Sequence, residues 1–482
     1  MNKMDRTELL NQGDRQAYRI LESIYLADGQ TNRAALMKTL GLSPATLSRH
    51  LQKIVDTLQP SIDEGALTLT FDQTQVSFAM QGKVTLDGLM FDEQVLRADT
   101  YQIYLYLYQH EFHFQTWQLA NTLHLSEKTT ARKVAKANAL IKEFGLSIYR
   151  GELRGSLFQV TWFYYKLFRE LHVKQLGTAN HDLLIRRLAN SGLEIDESMT
   201  DRLTQWLAVM DHVHVSFAQF SSQVSALDEQ LTNGIKLKAV VDRTALQMTE
   251  SERENLTLFL ILHSGTVIAD TQLDDWIGIT RPENRDLYDN LRRIQLHFAH
   301  VKDIQQIVHI SVAQLFSLLV VPMIGIGSID HFDDLSFEHA LTVNMPCSGA
   351  AAMARLKTTL LGTTTGTVHQ IIDDHWRYLS QYLLPFYALL TSTTRPTRHI
   401  GLALGTSREL TTLFAKRLMS VLEPVVHVSW ELYDEHNHYD LIVVNEQNRQ
   451  SIQEGQACYE ISALGNEGDL KAILEQMVAT AS

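Results

Sequence analysis

The sequence predicts a multidomain, mainly α-helical chain with two helix-turn-helix units first, two helical domains next and a small α/β domain at the end. Three observations predict this. A fourteen-residue pattern occurs twice at an offset of 83 residues. From about 161 to 387 helical periodicity dominates and strand signals are sparse. After "TSTTRPTRHI" (391–400) strand and helix patterns alternate. At 482 residues the chain is too long for one ordinary domain. The expected boundaries are 1–95 and 96–160 for the two helix-turn-helix units, the second of them winged, then 161–280 and 281–392 for the helical pair and 395–482 for the α/β domain.

The repeat comes first. "LGLSPATLSRHLQK" (40–53) aligns with "LHLSEKTTARKVAK" (123–136) so that Leu40, Leu42, Ser43, Thr46, Arg49 and Lys53 meet Leu123, Leu125, Ser126, Thr129, Arg132 and Lys136. Each copy reads as helix, tight turn, helix. In the first, Gly41 permits the turn, Ser43 is the expected N-cap and Pro44 occupies the first helical position, where its missing N–H costs nothing. Leu47, Leu51, Ile54 and Leu58 then share one face, while Thr46, Arg49, His50 and Lys53 share the other. In the second, Ser126 caps, Ala131, Val134 and Ile141 are expected to point inward, and Thr129, Arg132, Lys133 and Lys136 outward.

Such a helix fits a DNA major groove about 12 Å wide, with short polar residues reaching base edges and cations meeting phosphate or guanine. Candidate DNA contacts are therefore Ser43, Thr46, Arg49, His50 and Lys53 in one unit and Ser126, Lys128, Thr129, Arg132, Lys133 and Lys136 in the other. Gly145 stops the second helix, and short strand-like runs around 151–155 suggest a wing carrying Arg150 and Arg154. Between 115 and 154 seven cations face three anions, against a net charge of −13 for the whole chain. A merely solvated cationic face is the bland alternative; the repeat, the caps and the wing favour double-stranded DNA.

The middle holds histidines in two notable settings, "MDHVHVSFAQF" with His212 and His214, and "SERENLTLFLILHSG" with His263. Spacing alone makes them ordinary core or boundary residues, and an i, i+2 pair does not share a helix face for metal binding. "DDHW" (373–376) reads equally as a structural acid–imidazole pair. The apolar stretch 310–329 nears the roughly twenty residues of a membrane span, but Ser311, Gln314, Ser317, Pro322 and Ser328 interrupt it. A buried helix broken near Pro322 is the expectation, with no membrane partner.

The terminal region reads as "HIGLALG" (strand), "SRELTTLFAKRLMSVL" (helix), then the strands "VVHVSWEL", "YDLIVVN" and "ACYEISAL" and a last helix, a largely parallel α/β arrangement. From 395 onward it carries seven cations and twelve anions, a poor surface for DNA. The composition, 45% hydrophobic and 20% charged, is that of a folded soluble protein. Cys347 and Cys458 stand far apart in neither metal nor redox spacing, which fits a reducing cytoplasm and calls for no metal or cofactor. The first sixteen residues hold no apolar run, so no secretion signal is expected.

The order of these parts resembles the stand-alone virulence regulators of Gram-positive bacteria typified by Mga and AtxA. "HVSFA" (214–218) and "ENLTLFLILH" (254–263) are similar to the two histidine motifs of the PRD, the regulatory domain governed by the sugar phosphotransferase system. The resemblance implies two PRD-like domains, phosphorylation candidates His214, His263 and His212, and in the second copy His331 and His375. It also implies an EIIB-like terminal domain. Where cysteine-phosphorylated EIIB proteins carry that cysteine, this chain reads Gly405-Thr406-Ser407, which favours docking or dimerisation over phosphotransfer. A non-enzymatic transcriptional regulator follows, a homodimer by default, with the phosphocarrier protein as a further partner. The alternatives are a phosphotransferase component, an RNA antiterminator, or a regulator whose histidines are purely structural.

Overall fold

The computed structural model describes residues 4–81, 84–171, 181–216, 236–278, 284–299, 310–323, 327, 329–330, 349–383, 398–404, 408–422, 428–445, 456–461 and 467–479. They fall into two compact units. One comprises Met1–Gln295, Ser311–His339 and Leu360–Leu379; the other comprises Leu296–Ile310, Ala340–Thr359 and Ser380–Ser482.

The first unit opens with β1 (Met4–Asp5), which pairs in parallel with β7 (Ile329–Asp330), and continues into a winged helix. Its elements are α1 (Gln12–Tyr25), β2 (Gln30–Asn32), α2 (Arg33–Leu40), α3 (Pro44–Asp63), β3 (Leu67–Phe71) and β4 (Gln75–Met80). The strands form an antiparallel sheet in the order β2-β4-β3. Asn32 starts α2 by accepting from the Ala34 N–H at 2.7 Å, and Gly41 ends it in the left-handed region at φ 64°. Ser43 caps α3 with Pro44 at its first position, and Leu47, Leu51, Ile54 and Leu58 are buried, as the sequence predicts. At the wing tip Asp72 accepts from the N–H groups of Thr74 and Gln75, and these bonds hold its carboxyl below the usual range. The strands of this wing are what sequence reading did not place. Their signal is the period-two alternation of "LTLTF" and "QVSFAM".

The same plan recurs in α4 (Leu86–Met90), α5 (Asp92–Arg97), α6 (Asp99–Gln109), α7 (Thr116–Thr122), α8 (Glu127–Ile141), β5 (Ser147–Tyr149) and β6 (Glu152–Arg154). His113 bridges antiparallel to Glu152, in the place that β2 fills in the first copy. Next, α9 (Leu157–Glu170) begins with a capping box between Ser156 and Gln159 and runs through the expected boundary at 160. Its aromatic residues Trp162, Phe163, Tyr164, Tyr165 and Phe168 are buried, and the Trp162 indole donates to the Gly327 carbonyl at 2.9 Å.

The helices that follow are α10 (Asp182–Asn190), α11 (Glu197–Ser216), α12 (Lys236–Thr244) and α13 (Glu250–Leu262). Helix α11 packs on α9, where Trp206 stacks on Phe259 of α13 with centroids 4.6 Å apart. The apolar stretch around 310–329 contains the largely buried helix Val312–Met323, with Pro322 inside its last turn. Among the described residues no helix is long and apolar enough to cross a membrane.

The second unit carries a four-stranded parallel sheet of β8 (Arg398–Ala403), β9 (Val428–Leu432), β10 (Leu441–Val444) and β11 (Cys458–Glu460), in the order β11-β10-β8-β9. Helices Arg408–Leu422 and Glu467–Ala479 supply Phe414, Leu418 and Ile473 to a core with Ile400, Leu402 and Val443. Fully buried β10 reads "LIVV" without alternation, as a central parallel strand should. The sequence Gly405-Thr406-Ser407 lies outside the described residues.

Candidate nucleic-acid interface

The two recognition-type helices start with the same side-chain arrangement. Ser43 Oγ accepts from the Thr46 N–H at 3.3 Å and lies 2.8 Å from Thr46 Oγ1. Ser126 Oγ accepts from the Thr129 N–H at 3.2 Å and lies 2.9 Å from Thr129 Oγ1. All four hydroxyls are thus engaged in capping, and the helix N-termini that they fix carry partial positive charge toward any phosphate in reach.

Beyond the caps the copies differ. On α3, Arg49 is exposed and has no hydrogen-bond or ion-pair partner among the described residues. His50 is half-buried, and burial together with the neighbouring Arg49 and Lys53 charges lowers its pKa. Lys53 Nζ is 3.2 Å from Asp14 on α1. On α8, Lys128 and Arg132 are exposed and likewise have no such partner among the described residues.

The other two cations of α8 are tethered to neighbouring elements, Lys133 half-buried and Lys136 still exposed as expected. Lys133 Nζ sits 2.7 Å from an Asp99 oxygen, and Lys136 Nζ donates to the Glu8 carbonyl at 3.3 Å. Burial, then the charges of Arg15 and Lys133, lowers the Lys136 pKa. The expected inward face is also corrected. Thr130, Ala137 and Ile141 are buried with Val134 half-buried, while Ala131 is exposed. Capping at Ser126 sets that phase, and the Thr130 hydroxyl is tied to the Ser126 carbonyl at 3.1 Å. The exposed stripe therefore runs Lys128, Ala131, Arg132, Ala135 and Lys136, in which small residues between cations allow close approach to a groove floor.

The wing β5–β6 turns through Arg150 at φ 53° and Gly151 at φ 82°, a two-residue hairpin with both residues left-handed. Glycine is required there, because a Cβ on Gly151 would lie 2.1 Å from the Phe114 carbonyl oxygen. Tyr149, 46% exposed, carries the guanidinium of Arg154 at 4.3 Å and that of Arg150 at 5.2 Å from its ring centroid. Arg154 also lies 3.5 Å from Glu152. Sequence reading missed Tyr149, the exposed aromatic platform between the two arginines.

The candidate histidines occupy distinct settings. His212 Nε2 donates to the Tyr108 carbonyl at 2.6 Å, its ring stacked on Tyr108. His214, its side chain 32% exposed, has Nε2 3.9 Å from Glu252 Oε1. His263 is 9% exposed, donates from Nδ1 to the Phe259 carbonyl at 2.8 Å, and has its pKa driven down to about 3 by burial. His375 is half-buried at the end of the helix Gly366–Asp374. His331 and the last two residues of "HVSFA" lie outside the described residues. Among the described residues no cluster of His, Cys, Asp and Glu is arranged to hold a metal ion.

Residues 90–168, from the last residue of α4 to the last turn of α9, match the family model of the Mga helix-turn-helix domain. This part of the chain is a helix-turn-helix domain of that type, consistent with a regulator of the Mga family. No curated protein matches the sequence.

Proposed function

We propose that the chain is a DNA-binding transcriptional regulator that grips double-stranded promoter DNA chiefly through α8 and the wing β5–β6. The first winged unit then holds neighbouring backbone. The observation that supports this reading most is the pair Lys128 and Arg132, exposed beside small residues on a capped helix within the segment that matches the Mga domain. Lys128, one residue into that helix, suits a phosphate, and the fork of Arg132 suits the O6 and N7 acceptors of guanine. A homodimer fits paired half-sites.

Regulation, in this reading, comes from the sugar phosphotransferase system through histidine modification in PRD-like helical domains, with the EIIB-like terminal domain serving docking or dimerisation. Among the candidates we assign the modification to His214, whose ring is accessible beside Glu252. The burial of His263 favours a structural role at that position.

Genome-wide footprinting of the full chain tests the DNA reading. Lys128→Ala/Arg132→Ala is expected to lose the wild-type footprints, with affinity at least about tenfold weaker, since each good base contact is worth about 1–3 kcal/mol. Lys136→Ala, whose ammonium is already engaged by Glu8, is expected to keep them. Footprints that persist in the double variant would move the reading helix elsewhere.

A further inference from the structure

A cleft of about 750 Å³ opens on the second winged unit between α6, the turn 110–113 and α7, and no residue of α8 or of the wing lines it. It is therefore separate from the DNA face proposed above.

One side is a pair of rings in contact. His110 lies on Tyr106 with centroids 3.8 Å apart and planes 5° from parallel. His110 Nδ1 donates to the Tyr106 carbonyl at 2.9 Å, which leaves Nε2 of the neutral ring as an acceptor. Trp117 is 52% exposed, and its indole N–H is bound to Gln115 Oε1 at 2.8 Å, which fixes the ring.

The remaining lining is rich in primary amides, from Gln102, Gln109, Gln118 and Asn121. Each offers both donors and an acceptor, matching hydroxyl groups, which need both at once. None of the lining residues is Lys or Arg, and Glu111 contributes a carboxylate. A phosphate or carboxylate ligand would meet no fixed cation, only the imidazoles of His110 and His113, and would enter against the Glu111 carboxylate.

The turn between α6 and α7 is held in a costly shape. Glu111 and Phe112 have φ 51° and 60°, a conformation rare for residues other than glycine, and buried Phe112 pins it by donating its N–H to the Leu107 carbonyl at 2.8 Å. Strain of this kind concentrates at ligand clamps. The volume lies in the ordinary range for small-molecule sites and admits a mono- or disaccharide.

We propose that this cleft is an effector site for an uncharged carbohydrate, whose ring faces pack on Trp117 and the Tyr106–His110 stack while its hydroxyls bond the amides. Its occupant would brace the turn beside Tyr108, whose carbonyl receives the hydrogen bond from His212.

Titration calorimetry on the full chain, without DNA, tests this with glucose, galactose, N-acetylglucosamine and maltose, and with glucose 6-phosphate and adenosine as contrasting probes. At least one neutral sugar is expected to bind with Kd below about 1 mM. Trp117→Ala and Asn121→Ala are each expected to weaken it about tenfold or more, while Trp117→Phe retains it. Both positions are exposed, and unchanged melting temperatures confirm intact variants. The proposal is overturned if none of the four sugars binds, if the phosphate ester or the nucleoside binds more tightly, or if both alanine variants bind as the wild type does.

Discussion

A buried imidazole makes His263 a residue whose protonation state is a statement about folding. Its ring packs on Phe259 with centroids 4.2 Å apart and lies near Trp162. Burial, assisted by the charges of Lys166, Arg202 and Arg169, takes its pKa down to about 3, although the bond to the Phe259 carbonyl acts the other way. In the unfolded chain the same ring titrates near 6.5. Between those values the unfolded state holds a proton that the folded state lacks. The contribution to stability is therefore complete above pH 6.5 and is lost as pH falls toward 3, by up to about 1.4 kcal/mol per pH unit. His263→Phe keeps the ring volume and removes the titration. Scanning calorimetry from pH 7 to pH 5 is expected to show a shallower fall in melting temperature for the variant than for the wild type. Equal slopes would mean that His263 is protonated without unfolding.

At the level of elements, the repeat exposes one backbone strain. Helix α2 ends at Gly41 with φ 64°, and the equivalent residue after α7 is His124 with φ 54°. No atom lies within 4 Å of where a Cβ on Gly41 would sit, so a side chain there costs only backbone conformation. His124→Gly is expected to stabilise the second winged unit by about 0.5–1 kcal/mol, and Gly41→His to destabilise the first by a similar amount. Urea-unfolding midpoints check both, and a destabilised His124→Gly would show that the imidazole makes a contact worth more than the strain. Gly41 and Gly145 announce their turns in the sequence, whereas His124 is legible only through its alignment with Gly41. The inward face of α3 is equally plain, because four large aliphatic residues mark it. In α8 the run Thr129-Thr130-Ala131 has no bulky apolar residue to set the phase, so only the capped structure places Thr130 inside and Ala131 outside. The tethering of Lys133 and Lys136 depends on Asp99 and Glu8, which are remote in sequence, and residue spacing carries no trace of such partners.

Across the molecule, the charge of −13 coexists with a cationic DNA-type unit because the excess of acid lies elsewhere, including the terminal domain. That separation keeps nonspecific attraction to DNA weak while leaving a local positive face. The regulation proposed above needs a physical route from the histidine-bearing helices to that face, and hydrogen bonds within the first unit offer one. His212 joins α11 to the end of α6 through the Tyr108 carbonyl, and Tyr104 of α6 donates to the Ala137 carbonyl of α8 at 2.9 Å. His214 stands two residues further along α11. A phosphoryl dianion there would face Glu252, now 3.9 Å from Nε2. Like charges about 4 Å apart cost from about 1 kcal/mol in water to about 4 kcal/mol near a protein surface. That range overlaps the 1–3 kcal/mol typical of coupling between sites, which is the size of effect the proposed regulation needs. Incubating the full chain with phosphoenolpyruvate, enzyme I and the phosphocarrier protein is therefore expected to label it. His214→Ala should remove most of the label, His263→Ala should leave it, and labelled protein should differ from unlabelled in DNA affinity by about fivefold or more. Label that survives His214→Ala in full would sink the assignment, and undiminished DNA affinity after labelling would break the route from α11 to α8.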